Sequence, residues 1–168
     1  VIVGSALILA TPLFLVFGHL SDRIGRKKIM ITGCILAALF YVPIYHAMRL
    51  AVPPAAAGVV VDPSFLASVL LALLIFVQVV FVTMVYGPIA AFLVELFPTR
   101  IRYTSMSFPY HIGNGVFGGL TPFIATAVVT ATNNIYLGLI YPIGIALLTA
   151  LIGGLLVPER TGHPIDAD

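Results

Sequence analysis

Five long apolar runs separated by short polar breaks dominate this sequence, at about 1–17, 29–50, 65–94, 105–129 and 135–157. About 20 helical residues cross the ~30 Å of a bilayer's hydrocarbon; four runs meet that length and the first falls just short. In lipid every backbone N–H and C=O needs a partner within its own segment, and a barrel strand takes only about 9–11 residues, so runs of this length predict α-helices. At ~1.5 Å per residue the third run extends ~45 Å, so it is expected to tilt, protrude or bend at Gly87-Pro88. The expected fold class is all-α: a polytopic membrane protein whose residues 1–157 form five transmembrane helices, followed by a tail at 158–168. Composition agrees. Hydrophobic residues make up 61% and charged residues 8%, with a mean hydropathy of +1.15. Eight Lys and Arg with six Asp and Glu cannot supply the surface of a water-soluble fold. The opening run has no Met, no basic leader and no small-residue cleavage site, so it is read as a span of a longer chain rather than as a signal peptide.

Charge is gathered at the breaks. The stretch "GHLSDRIGRKKIM", Gly18 to Met30, holds Asp22, Arg23, Arg26, Lys27 and Lys28. With five spans, it shares one side with the break "ELFPTRIRYT" and with the tail. That side collects Arg23, Arg26, Lys27, Lys28, Arg100, Arg102 and Arg160, against Arg49 alone on the other. The positive-inside rule makes the basic side cytoplasmic. The connector "AVPPAAAGVVVDP" and the link "TATNN" then face outward. A net charge of +2 without a basic stripe argues against nucleic acid as a partner. Cys34 stands alone, which leaves no disulfide or cysteine metal site, and no metal is expected.

Within the charged stretch, Gly18 allows a tight turn or a close helix approach. Ser21 or Asp22 is placed to cap the second helix. By itself the cluster reads as a positive loop that fixes topology. It also resembles the G-x-L-(A/S)-D-R-x-G-R-(R/K)-x-x-(L/M) loop motif of the major facilitator superfamily, with Gly18, Asp22, Arg23, Gly25 and Arg26 at the motif positions and His19 at a tolerant one. The resemblance implies a cytoplasmic gate in which Asp22 and the arginines latch helix ends in the outward-facing state. Its partners are then expected mainly in the other half of the carrier.

A second stretch, Tyr86 to Val128, resembles the tenth and eleventh helices of metabolite:H+ symporters, bacterial carriers of organic acids or betaine-like solutes. The matching residues are Tyr86, Gly87, Pro88, Glu95, Phe97, Pro98, Thr99, Arg102, Tyr103, Gly118, Gly119 and Pro122; Ser105-Met106 departs from the commoner small residue. Sugar porters share the E-x-F-P-x-x-x-R part of this pattern. The resemblance implies that the chain holds about helices eight to twelve of a twelve-helix carrier in the bacterial cytoplasmic membrane. It also implies a proton as coupling ion with no other cofactor, and a missing N-terminal half as partner alongside lipid and a small polar or anionic solute.

Residue types in the spans suggest where that solute goes. Ser107, His111, Asn114, Gly118, Thr121 and Ala125 fall within an ~80° sector at 100° per residue. A small-and-polar stripe of this kind faces the bundle interior or a watery cavity. There His111 and Asn114 contact a solute or a proton, or join helices, or, for His111, meet a gate; the sequence leaves these open. Gly115 and Gly119 form a G-x-x-x-G that suits close helix packing. Gln78, near the middle of the third run, and Tyr86, beside Gly87-Pro88, are further candidates, each equally readable as a buried polar or aromatic filler. Tyr41 and Tyr45 read as interfacial aromatics. Glu95 is expected to form a cytoplasmic charge cluster with Arg100 and Arg102.

Function then narrows to a secondary transporter working by alternating access. An intramembrane enzyme is disfavoured. Ser107 and His111 stand four apart, yet no span holds an acidic orienter and there is no H-E-x-x-H motif. A membrane scaffold or channel subunit remains a remote alternative, and a sugar-porter-like carrier the nearer one.

Overall fold

The computed structural model describes residues 2–52 and 63–159. Arg160, His163 and most of the Pro-rich connector lie outside the described residues. The described chain is helical, without strands. Its helices are α1 (Ile2–Ile24), α2 (Arg26–Ala51), α3 (Phe65–Leu96), α4 (Arg102–His111), α5 (Gly119–Thr132), α6 (Ile135–Gly138) and α7 (Ile140–Leu156), with a π-helical segment, Ile112–Gly118, joining α4 to α5. Five helical units are long and apolar enough to cross a membrane: α1, α2, α3, the continuous Arg102–Thr132 and Ile135–Leu156.

Helix α3 is the spine, with α1 and α2 packed along it; α2 also packs on α7. A small core forms where Ala37 and Ile44 of α2 meet Phe81 of α3, with Tyr41, Met48 and Leu74 around it. Elsewhere Leu, Ile, Val and Phe cover the outside. An apolar surface this extensive is expected where the solvent is lipid, since soluble monomers rarely expose large apolar patches.

Glycines set the closest crossings. A Cβ on Gly87 would lie 2.9 Å from the Phe14 carbonyl oxygen and 3.2 Å from the Gly18 nitrogen, so α1 and α3 touch backbone to backbone there. Gly18 thus serves close approach rather than a turn. Gly33 does the same for α2 against Met84 and Val85, and Gly138 for α6 against Ala125 and Val129. The expected G-x-x-x-G packing does not form. Gly115 has open space where a Cβ would stand, and Gly119 meets only the carbonyl of Asn114 on its own span.

Some helix boundaries also differ from expectation. The charged stretch is scarcely a loop: α1 runs through Asp22 and Arg23, and only Gly25 separates it from α2. Gly25 has φ 114°, a backbone region that glycine enters without steric cost. It is the N-cap of α2 and no side chain of that turn caps it. Ser21 Oγ instead bonds back to the Gly18 carbonyl at 2.6 Å. At Gly87-Pro88, α3 continues as one helix to Leu96. The fifth run divides at Leu139 into α6 and α7.

The link "TATNN" reverses the chain with its two asparagines. Asn133 takes the left-handed conformation at φ 52° that ends α5. The Asn134 side chain accepts from the Tyr136 N–H at 3.0 Å and starts α6.

Candidate functional site

The charged elbow joins four helices. Arg26, the first residue of α2, donates from Nε to Glu95 Oε2 at 2.7 Å and from Nη2 to Oε1 at 2.8 Å. This is the two-pronged geometry a planar guanidinium makes with a carboxylate. Its Nη1 lies 2.8 Å from Asp22 Oδ1 at the end of α1. The Arg26 and Glu95 side chains are 13% and 15% exposed, whereas Asp22 is 51% exposed. The link to α3 is therefore shielded and strong. The link to Asp22 is wet, and exposed pairs contribute about 0–1 kcal/mol.

Glu95 was expected to pair with Arg100 and Arg102. It lies instead in the last turn of α3, on the side packed against α2, and its partner comes from 69 positions earlier. Arg102 follows the turn after α3 and donates from Nε to the Phe97 carbonyl at 3.0 Å; Arg100 is exposed. Arg23 is an exposed cation in the last turn of α1, where the helix dipole favours it. The latch motif was expected to find its partners mainly beyond this chain. Arg26 finds two within it.

Sequence reasoning missed Lys27 and Glu159. Lys27 Nζ donates to the carbonyls of Gly154 and Val157, at 2.8 and 2.6 Å, in the last turn and at the C-cap of α7. Its own N–H donates to Glu159 Oε2 at 3.0 Å. A cation thus sits on the C-terminus of α7 and an anion on the N-terminus of α2, each satisfying groups a helix leaves unpaired. A Cβ on Gly25 would stand 3.0 Å from that carboxylate oxygen, so the same glycine that permits the turn leaves room for the cap. The available signal was the span count, which put Glu159 and the basic stretch on one side. Lys27→Ala removes both donors and should loosen the end of α7 by about 1–2 kcal/mol. Amide exchange at 154–157 in the detergent-purified carrier should accelerate, with exchange in α3 unchanged.

At mid-depth, Tyr86 donates its hydroxyl to Asn114 Oδ1 at 2.7 Å, joining α3 to the π segment. Tyr86 lies about 15 Å along α3 from Leu96. His111 is exposed and borders a shallow groove with Thr104, Ser107 and Phe108 of its own helix. Gln78 is turned into the α2–α3 contact, donating to the Leu74 carbonyl at 3.4 Å and to Met48 Sδ at 3.5 Å. The structure therefore brings Tyr86 and Asn114 together and leaves His111 and Gln78 apart from them. A cavity of about 550 Å³ lies among α2, α3, the fourth span and α7, with Met30, Cys34, Val85, Phe117 and Leu148 in its wall and Lys27 at its charged end. At the other end of the bundle, His46 Nδ1 and the Tyr136 hydroxyl are 3.0 Å apart, with the Arg49 guanidinium 6.0 Å from the same ring. No group of three or more metal-ligating side chains occurs among the described residues.

Long apolar helices in contact through glycines, with the ion pairs among the described residues at one end, define an integral membrane helical bundle. The chain belongs to the sugar (and other) transporter family, whose model matches residues 1–167; that family lies in the major facilitator superfamily. Among curated relatives, it is 31% identical over 150 residues to the glycine betaine/proline/ectoine/pipecolic acid transporter OusA of Dickeya dadantii (strain 3937), covering 89% of this chain and 26% of the relative. It is 29% identical over 156 residues to a putative proline/betaine transporter of Staphylococcus aureus (strain COL), covering 90% and 30%. With the alpha-ketoglutarate permease of Escherichia coli (strain K12) it shares 33% over 112 residues, covering 66% and 22%. The chain thus spans about a quarter of the length of these relatives. No solved structure matches it. The family and the named relatives are transporters, not enzymes.

Proposed function

We propose that this chain is the C-terminal part, about helices eight to twelve, of a proton-coupled carrier that takes up a small organic acid or betaine-like solute by alternating access. The observation that carries the reading is the shielded Arg26–Glu95 pair, with Asp22 beside it, joining the ends of three helices. In the proposed cycle this junction holds in one state and opens in the other, so its strength sets how the two states are populated. The basic end, with Arg23, Lys28 and Arg100, faces the cytoplasm by the positive-inside rule. In this reading Gly18, Asp22, Arg23, Gly25 and Arg26 form the cytoplasmic gate, which closes with Glu95. Tyr86 and Asn114 stand where a solute at mid-bilayer meets this half of the carrier. Their hydroxyl and amide suit a carboxylate or zwitterion, and the relatives' names point to the same solute chemistry. His111 and Gln78 are secondary candidates. By the resemblance to metabolite:H+ symporters, the carboxylate that couples the proton belongs to the N-terminal half.

Uptake of labelled glycine betaine, proline, alpha-ketoglutarate and glucose by membrane vesicles carrying the full-length protein tests this directly. Saturable uptake of one of the first three is expected. Glucose uptake alone would favour the sugar-porter reading, which the family match also accommodates. Uptake of none above empty vesicles would contradict the carrier assignment.

A further inference from the structure

The fourth span carries two conflicting periodicities. Its sequence sets Ser107, His111, Asn114, Gly118 and Thr121 on one stripe only if the helix turns at 3.6 residues throughout. The structure instead widens Ile112–Gly118 into a π-helix, with the Gly119 N–H reaching the Asn114 carbonyl five residues back. In this form His111 is exposed, as most of the span is, while Asn114 is half-buried on Tyr86.

Local chemistry explains why the segment can widen. Gly113, Gly115 and Gly118 weaken its preference for the α form, and Gly113 and Gly115 have open space around them. Pro122, five residues beyond Phe117, has no N–H to extend the wide pattern. The Phe117 carbonyl accepts instead from Thr121 Oγ1 at 2.9 Å and from the Tyr141 hydroxyl of α7 at 3.1 Å. Two tyrosine hydroxyls, Tyr86 from α3 and Tyr141 from α7, therefore hold the segment from opposite neighbours. Beyond it, α5 is anchored on α6, where a Cβ on Gly138 would meet Val129 Cγ2 at 2.6 Å. Among the described residues α4 packs only lightly, on α3.

We infer that Ile112–Gly118 is a register switch held in its wide form by Tyr86 and Tyr141, and that the carrier passes between the wide and the α register during transport. Taking one residue out of a wide turn rotates α4 by about 100° relative to α5. That rotation brings Ser107 and His111 into line with Gly118 and Thr121 and completes the polar stripe. Tyr141 is thereby a positioning residue for transport, acting through the Phe117 carbonyl. The transport role rests on the carrier function proposed above; the two registers do not.

The test uses the full-length carrier in vesicles, with Cys34 and every other native cysteine replaced by Ala and a single cysteine introduced at His111 or at Thr126. Labelling by a membrane-impermeant maleimide reports exposure. Tyr86→Phe and Tyr141→Phe each remove one hydroxyl and little volume. Each is expected to lower labelling at 111 by about fivefold, the shift one neutral hydrogen bond supports, with labelling at 126 constant and uptake changed. Unaltered labelling at 111 in both variants and in the double variant would overturn the switch. Shifted labelling with wild-type uptake would overturn its part in transport. Because labelling needs no solute, a carrier that moves none of the tested compounds would remove the proposed function while the register result still reads out.

Discussion

Arg26→Glu and Glu95→Arg should each lower uptake at least about tenfold, and the double exchange should recover most of it. Either single change sets two like charges face to face at a site only 13–15% exposed. Stranding one member of a fully buried pair costs about 3–5 kcal/mol and less in this part-buried setting, and each 1.4 kcal/mol of bias between two states is tenfold in their ratio. Exchanging both restores the attraction with the partners reversed, although Asp22 then faces a glutamate at position 26. Asp22→Asn should have a smaller effect, because that side chain is 51% exposed and its pair lies in water. Initial uptake rates, normalised to the amount of carrier in the membrane, check all four variants. Equal loss in the singles and the double would mean that the pair is not a gate contact.

Gly87→Leu should markedly destabilise the bundle. The added Cβ alone would stand 2.9 Å from the Phe14 carbonyl oxygen. That neighbour is backbone within a helix and cannot swing aside, so α1 and α3 must separate. Overpacking of this kind costs about 1–3 kcal/mol where side chains can yield, and more is expected here. Gly144→Ala provides the contrast, because nothing lies within 4 Å of its added methyl. Thermal unfolding in detergent should show a clear drop in Tm for Gly87→Leu and none for Gly144→Ala.

Much of the architecture was legible because lipid leaves the backbone few options. Run length and hydropathy gave five helical spans, and the charged breaks marked one end. The points that eluded the sequence are those decided by tertiary contact. Glu95 has Arg100 and Arg102 as near neighbours in the chain, yet α2 packing brings Arg26 to it. Ser21 and Asp22 have the chemistry of helix caps, yet Gly25 turns so tightly that Glu159, from the end of the last span, takes that role. Gly115 and Gly119 have the spacing of a packing motif. The close crossings fall instead at Gly18, Gly33, Gly87 and Gly138, whose neighbours belong to other helices and follow no fixed spacing. For the candidate site, Asn114 and Tyr86 were identified singly, but their hydrogen bond was not, because a 100° period cannot anticipate a π segment. Tyr141 gave no signal at all, being one more aromatic in an apolar span.

Proton coupling is the step that most separates the proposed carrier from a passive one. Purified full-length protein in liposomes, given an alkaline interior and an external labelled solute from the panel, tests it most directly. Accumulation above the external concentration is expected, with collapse to equilibrium on adding a protonophore and loss of both in Glu95→Arg. Uptake that stops at equilibrium and ignores the protonophore would contradict it.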